Sequence, residues 1–382
     1  IGGFIRDYLL GKESKDLDLL IDPFYLEFLE NLSHVLKGKI IILDEERKYF
    51  RLSIKRNGTI FNLDFTPIYQ GNLLLEISRR DFTINSILLD LQSFTLLDPL
   101  KGLKDLEENI LRLSSSTSLE EDPLRILRVF RFSASGFKID EKIFKSIITN
   151  KEKLKKVKSE RIHEEIYKIL QKPFTSNLWK KMEEIGILEV IFPELSSLKS
   201  IPWSEPHHEN PLEHSISTLY VLEILYYNLS FLFPKVKRDL ENYLADKIYS
   251  EFTKRETLKL TALLHDIGKT KTYSIDENNL VHYYGHSLEG ANMVKNIWER
   301  LKLSNKELNY MQKLIKNHMY LIDFIKNPDI NPIYKLIARV DEDVPSLILL
   351  FISDQIAIRK EIENREYFEK LITEYFKIKN IP

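Results

Sequence analysis

A chain of 382 residues is long enough for two or three domains with sizeable cores. With 43% hydrophobic and 30% charged residues and a net charge of −1, it reads as globular, and any nucleic-acid surface on it must be a local patch. Cysteine is absent, which excludes disulfides and thiolate metal sites and fits a reducing cytoplasm; no apolar run approaches the roughly 18 residues of a membrane span.

The chain opens at Ile1, directly before Gly2-Gly3, and a strand residue or two are expected to precede it in the natural protein. Gly2-Gly3 reads as a turn, with Arg6 three positions on. The triplet Asp16-Leu17-Asp18 then opens an apolar run read as a strand over Leu17–Ile21. Residues i and i+2 of a strand share a face, so Asp16 and Asp18 project together. Two clustered carboxylates attract a hard divalent cation, most often Mg²⁺ with phosphate oxygens completing its shell. The glycines allow backbone to approach a polyphosphate and Arg6 can neutralise it. Alone, Asp-x-Asp is ordinarily a solvated turn; behind Gly-Gly-x-x-Arg the pieces read as a nucleotidyl-transfer site.

Further along, Pro23–Leu36 reads as a helix with Phe24, Phe28, Leu29 and Leu32 on one side. Strands are expected over Gly38–Leu43, Tyr49–Lys55, Thr59–Thr66 and Ser86–Leu91, with Arg56-Asn57-Gly58 as a hairpin turn. Asp64 falls in the third of these strands and is a candidate third acid. Arg79-Arg80-Asp81, with Asn85 four residues after Asp81, can hold a triphosphate and ribose; the plainer reading is a charged turn entering a buried strand.

Residues 101–200 read as all helix, with breaks at Asp98-Pro99, Ser118 and Gly136. Pro123 suits a first helical turn. Asp122 and Arg125 are three apart, and Arg128 and Arg131 continue at helical spacing, away from Leu124, Leu127 and Phe130. An Asp acceptor beside an Arg donor can read a nucleobase edge, and the remaining guanidiniums can bind phosphate; the competing reading is a face of surface ion pairs. The basic stretch Lys151–Lys158 is a candidate RNA contact or a solvated helix face. Ser200–Pro211, with Pro202, Pro206 and Pro211, reads as a linker, and long helices follow from Leu212 with a polar interruption at Ser274–Asn279.

Seven of the nine histidines lie between His207 and His318. His214, the pair His265-Asp266 before Gly268-Lys269, and Asp354 are spaced as ligands from separate helices for one first-row divalent ion, and His286 with His318 are candidates for a second. His207, His208 and His282 read as surface residues.

These motifs, in this order, resemble the class II tRNA nucleotidyltransferase and poly(A) polymerase family of the DNA polymerase beta-like superfamily over about Ile1–Leu170. The resemblance implies an α+β fold. A polymerase beta-like head with a small mixed sheet (residues 1–100) precedes an all-α neck and body (101–200) and an all-α HD domain (201–382). It implies that Gly2, Gly3 and Arg6 bind triphosphate, that Asp16 and Asp18 hold catalytic Mg²⁺, and that Arg79-Arg80-Asp81 through Asn85 form the ribose and triphosphate motif. Asp98–Asp105 resembles the hinge motif, Asp122 and Arg125 the protein template for C and A, and Arg128 and Arg131 its phosphate-facing neighbours. Glu160–Lys168 resembles the motif that supports the neck. His214, His265, Asp266 and Asp354 complete an HD quartet.

The implied activity is template-independent transfer of CMP, and of AMP for a complete CCA end, from CTP and ATP to the 3′ end of a tRNA held by its acceptor arm, in the cytoplasm. Only seventeen positions separate Asp64 from Asp81, where many members carry a long mobile loop. In the family, loss in this region goes with CC addition alone, so CC addition is the expected product. Competing readings are an HD-type metal phosphohydrolase acting on nucleotides or 2′,3′-cyclic phosphates, a poly(A) polymerase-like tailing enzyme, and an RNA-binding protein without activity.

Overall fold

A computed structural model describes residues 1–14, 16–21, 25–46, 48–205, 208–325, 331–361 and 364–379, and its contacts divide into two units, 1–150 and 151–382.

In the first unit a seven-residue helix, α1 (Gly3–Leu9), follows Gly2, where the sequence suggests only a turn. β1 (Asp16–Ile21) leads to α2 (Leu26–Leu36), β2 (Lys39–Asp44), β3 (Tyr49–Arg56) and β4 (Thr59–Pro67). The sheet order is β1-β4-β3-β2, with β1 parallel to β4 and the other pairs antiparallel, which makes the sheet mixed. Tyr25, Leu29, Leu52 and Phe65 are its buried core, and Leu32 packs against them. The helix expected from Pro23 is described from Leu26; Pro23 and Phe24 lie outside the described residues. Phe28 is 53% exposed, because it sits about 100° round the helix from Leu29 and off the stripe Tyr25–Leu29–Leu32. Asn57 and Gly58 have φ of 51° and 80°, the two positive values of a tight hairpin turn, and Arg56 pairs with Thr59.

After β4 comes α3 (Leu73–Ser78). The strand expected over Ser86–Leu91 is shorter: a 3₁₀ turn at Thr83–Asn85 precedes β5 (Leu88–Asp90), which pairs with β6 (Thr95–Leu97). The Asp81 carboxylate makes this turn by accepting from both Phe82 N–H and the Asn85 amide. α4 (Gly102–Glu107) is capped by Asp98, whose oxygens accept from Gly102 N–H and Leu103 N–H at 2.6 and 2.8 Å. Beyond it the chain is not helix alone: β7 (Ile110–Leu111) pairs parallel with β8 (Lys138–Ile139) between α5 (Ser118–Glu121), α6 (Arg125–Ala134) and α7 (Glu141–Asn150). α6 starts at Arg125 rather than Pro123, since its entry bonds run three residues back, Arg125 N–H to Asp122 O and Ile126 N–H to Pro123 O, both 3.0 Å. Ile126, Leu127, Val129, Phe130 and Phe132 are buried, more of the helix than the apolar stripe alone suggests.

The second unit is helical, with two small hairpins. The basic stretch Lys151–Lys158 holds a 3₁₀ run over Lys151–Lys156 in which Leu154 is buried. The motif at Glu160–Lys168 lies in helix Ser159–Leu170, where His163 is buried against Glu307 at 2.8 Å. Residues 201–205 and 208–210 form no helix or strand, where a linker is expected; Pro206 and His207 lie outside the described residues. Asn210 then caps helix Pro211–Tyr227, accepting from Leu212 N–H and Glu213 N–H. Helices Lys254–Leu264, His286–Leu301, Asn305–Asn317 and Val344–Arg359 follow, and the polar interruption is a hairpin of Ser274–Ile275 with Val281–His282. No helix among the described residues is long and apolar enough to cross a membrane.

Candidate functional site

Asp16 and Asp18 project from one face of β1, and β4 lies in register beside them, Asp16 next to Asn62 and Asp18 next to Asp64. Asn62 Nδ2 donates to Asp16 Oδ1 at 2.9 Å. Asp64 is thus brought next to the acid pair, but both of its oxygens accept from Arg51 on β3, from Nε and Nη2 at 2.7 Å each. Among the described residues, the three acids do not form a group with ligand atoms within 4.8 Å of one another.

Gly2 has φ +80°, and a Cβ added there would sit 2.7 Å from Asp18 Oδ2. Only glycine combines that backbone with room for the carboxylate. Burial pushes the Asp18 carboxyl above its usual range; Arg80 pulls it down, while Asp64 and Asp16 push it further up. A half-buried carboxyl with this shortage of positive charge, beside a second acid, fits a hard divalent cation.

Asp81 is the buried centre of the second motif. Its Oδ1 accepts from Phe82 N–H and Asn85 Nδ2, both at 2.9 Å, and its Oδ2 meets Arg128 Nη2 at 2.7 Å. Burial pushes this carboxyl up, but Arg128 and the two N–H donors outweigh it and hold the group below its usual range. Asn85 Oδ1 in turn accepts from Arg6 Nη1 at 2.6 Å, and Arg6 also grips Asp7 through two bonds of 2.8 Å. Arg80 lies 3.5 Å from Glu76, and its Nε is buried without a hydrogen-bond partner. Arg79 packs over the Tyr69 ring at 3.9 Å.

Arg125 does not meet Asp122 through its guanidinium. Nη2 donates to the Arg79 carbonyl at 2.6 Å, and Nη1 donates to the carbonyl and hydroxyl of Ser118, both at 3.0 Å. Asp122 Oδ1 accepts from Leu124 N–H at 3.2 Å. Arg131 lies beside the Phe132 ring at 4.9 Å. Arg125 thus holds carbonyl and hydroxyl partners through both Nη atoms.

In the second unit the structure brings all six predicted residues together. His214 Nε2 lies 2.8 Å from Asp354 Oδ1 and 3.8 Å from Asp266 Oδ2, and His265 Nε2 lies 3.3 Å from that same oxygen. The other oxygen, Asp266 Oδ1, faces His286 Nε2 at 3.5 Å and His318 Nε2 at 3.7 Å. Two overlapping groups with metal-ligand spacing result, His214–His265–Asp266 and Asp266–His286–His318. The Nδ1 atoms of His265, His286 and His318 donate to the carbonyls of Ala262, Tyr283 and Ile315 at 2.8, 2.8 and 2.7 Å. That leaves each Nε2 to act as a ligand. Burial and the neighbouring His265 and His286 push His318 down to about 3, so its imidazole is neutral. His265 Nε2 is buried without a hydrogen-bond partner. An orphaned imidazole nitrogen among carboxylates fits a first-row divalent ion. Gly268 has no Cβ because one would strike the His286 carbonyl and lie 2.5 Å from Gly290 N, so glycine lets the His265-Asp266 turn approach the helix that carries His286.

Two residues at these sites escape a reading by motif, Arg51 and Asn62; Lys269, part of the motif after His265-Asp266, brings its Nζ to 2.5 Å from Asp266 Oδ2. Hairpin register gives the first away, since Arg51 and Asp64 stand equally far from the Asn57-Gly58 turn. Lys269 follows Asp266 by one helical turn, and Asn62 precedes Asp64 by one same-face step. His208 is exposed, and His282 is partly exposed.

Three family models match successive parts of the chain. The poly(A) polymerase head domain matches residues 1–112, the probable RNA and SrmB-binding site of polymerase A matches 136–199, and the HD domain matches 212–355. The chain is 29% identical over 366 residues to an A-adding tRNA nucleotidyltransferase of Deinococcus radiodurans, covering 94% of this chain and 76% of that protein. It is 30% identical to a multifunctional CCA protein of Actinobacillus pleuropneumoniae (84% of this chain, 74% of that protein). It is 34% identical over 193 residues to a CC-adding tRNA nucleotidyltransferase of Geobacter sulfurreducens (50% of this chain, 44% of that protein). The fold is that of the Thermotoga maritima CCA-adding enzyme solved in complex with tRNA, with a TM-score of 0.67 at 21% identity over 100% of this chain and 78% of that one.

Gly2 and Gly11 both have positive φ, but nothing lies within 4 Å of a Cβ at Gly11. Alanine at either position should lower stability by roughly 1–3 kcal/mol through backbone strain. Only Gly2→Ala should also weaken Mg²⁺ binding to the acid pair, by displacing Asp18. Equal Mg²⁺ affinity of the two variants in calorimetry would contradict that role for Gly2.

Proposed function

This chain belongs to the tRNA nucleotidyltransferase and poly(A) polymerase family, and from that premise we propose that residues 1–100 transfer CMP from CTP to a tRNA 3′ end and release pyrophosphate. The observation that carries the proposal is the pair Asp16 and Asp18 on one strand face, with Gly2 packed against the Asp18 carboxylate. When bound there, Mg²⁺ supplies charge neutralisation and orientation for attack of the terminal 3′-hydroxyl on the α-phosphate. Arg6, the backbone of Gly2-Gly3, and Arg80 with its unpartnered Nε bind the triphosphate. Asp81, Asn85 and Arg128 hold those groups in place. Asp122 and Arg125 select the base, which requires Arg125 to exchange a carbonyl for a base edge, and Arg131 faces phosphate. Residues 101–200 carry base selection and RNA binding, and residues 201–382 form the HD domain. The acceptor arm of tRNA is the partner, and the absence of cysteine supports a cytoplasmic setting.

Asp18→Asn should leave the fold intact and slow single-turnover nucleotide addition by on the order of a hundredfold or more, the size of a lost metal contribution of several kcal/mol. Near-normal turnover would remove Asp18 from the metal site.

The relatives named above differ in product, so the product is argued from this chain. Between the end of β4 at Pro67 and Arg79, the backbone is taken up by a 3₁₀ turn at Tyr69–Gly71 and by α3. No long segment is left there to act as a lever for re-aiming Arg125 from cytosine to adenine. We expect tRNA ending at its discriminator base to gain two C residues and then stall. Sequencing of the 3′ ends after incubation with both CTP and ATP reads this directly; a uniform CCA end would show that complete synthesis needs no long loop.

The six-residue cluster favours a second activity, metal-dependent hydrolysis of a phosphoester, in which Asp266 contributes one oxygen to each histidine set. Elemental analysis of the reloaded protein should find about two first-row ions per chain. His265→Ala should reduce that content and leave nucleotide addition unchanged. A wild type that stays metal-free after reloading would count against the second activity.

A further inference from the structure

The hairpin that leads into His286 is built around one carboxylate. Asp276 Oδ1 accepts from Asn278 N–H and Leu280 N–H at 2.9 Å each, which closes the turn, and Asp276 Oδ2 lies 2.9 Å from His282 Nε2. The His282 ring is therefore fixed. Tyr284 stacks on it, with ring centroids 5.1 Å apart and planes only 12° from parallel. The other face of Tyr284 is open, and the residue is 78% exposed. The result is a flat aromatic surface held in solvent by an Asp–His–Tyr stack.

The position of this surface is as informative as its shape. The preceding residue, Tyr283, accepts at its carbonyl from His286 Nδ1 and carries the Lys269 ammonium 4.9 Å from its ring centre. Gly285, with φ +79°, then turns the chain into His286. Tyr284 is two residues from one imidazole of the cluster, at most about 7 Å between Cα atoms. A metal ion held by the cluster would draw a phosphate, and an exposed aromatic ring two residues from His286 offers a planar π-system a partner; a nucleoside phosphate combines the two.

We propose that Tyr284, supported by His282, is a stacking platform for the nucleobase of a nucleoside phosphate whose phosphoryl group enters the His/Asp cluster. The inference rests on the phosphohydrolase reading of that cluster and adds to it the residue that holds the base. It assigns Tyr284 to substrate affinity and not to bond cleavage.

The test compares adenosine 2′,3′-cyclic phosphate with glycerol 1,2-cyclic phosphate, which carries the same linkage and no base. Tyr284→Ala should raise KM for the adenosine ester about tenfold, the loss of one stacked base, with kcat retained and the glycerol ester unaffected. Tyr284→Trp should restore the wild-type KM. A short RNA ending in a 2′,3′-cyclic phosphate, run in parallel, separates the sources: dependence on Tyr284 with the RNA alone makes the ligand an RNA end, and dependence with both makes a single nucleotide sufficient. Unchanged KM for every base-bearing substrate overturns the proposal. If the wild type cleaves neither ester, the phosphohydrolase reading falls. Calorimetry of adenosine 3′-monophosphate with metal-loaded protein in an Asp18→Asn background then decides the platform: about tenfold weaker binding in Tyr284→Ala supports it, and equal binding overturns it.

Discussion

A carboxylate with 5% exposure stays ionised only if donors surround it, and at Asp81 they come from two separate stretches of chain. Phe82 N–H and the Asn85 amide turn the local backbone, and Arg128 arrives from α6. Asn85 then passes the constraint to Arg6 on α1, and Arg125, one turn before Arg128, returns to the carbonyl of Arg79. Side chains that are more than 100 positions apart in sequence, Arg6 and Arg128 among them, are thereby held in one polar network. Removal of any donor would leave a buried charge short of a partner, which is why the double-arginine segment reads better as framework and site together than as a mobile charged turn.

The second unit solves a similar problem with backbone carbonyls. Three of its cluster imidazoles have one nitrogen committed to a carbonyl three residues earlier, in a helix for His265 and His318 and in the turn before the helix for His286, so the direction of the other nitrogen is set by local backbone. The close approach at Gly268 then sets the distance between two of the helices that bear them. Ligand direction and ligand spacing are therefore fixed by different features of the chain.

Much of this is legible in the sequence where chemistry and spacing coincide. Asp16-Leu17-Asp18 in a strand, Asn57-Gly58 between two strands, and His265-Asp266 before a glycine each have few physical alternatives. What is hard to read depends on partners far along the chain. Ser86 and Ile87 look like the start of a strand, but the turn that Asp81 caps at Thr83–Asn85 delays β5 to Leu88. The two-residue pair of β7 with β8 has no local signal, because so short a strand carries no periodicity. Phe28 looks like core by residue type alone and is excluded by its angle on α2. Arg51 seems an ordinary strand residue, yet counting outward from the hairpin turn sets it opposite Asp64, so its pairing was within reach of register arithmetic.

Asp266 offers one oxygen to His214 and His265 and the other to His286 and His318. Two cations taken up there would both draw on the Asp266 charge across the width of one carboxyl group, too close for salt to screen, with Asp354 on the His214 and His265 side alone. Whichever half fills first withdraws charge from the other, and the penalty is the same in either order. Loading would then be a staggered titration with a broad interval in which one half is filled and the other empty. Any chemistry that needed both ions would begin only at the upper end of that interval.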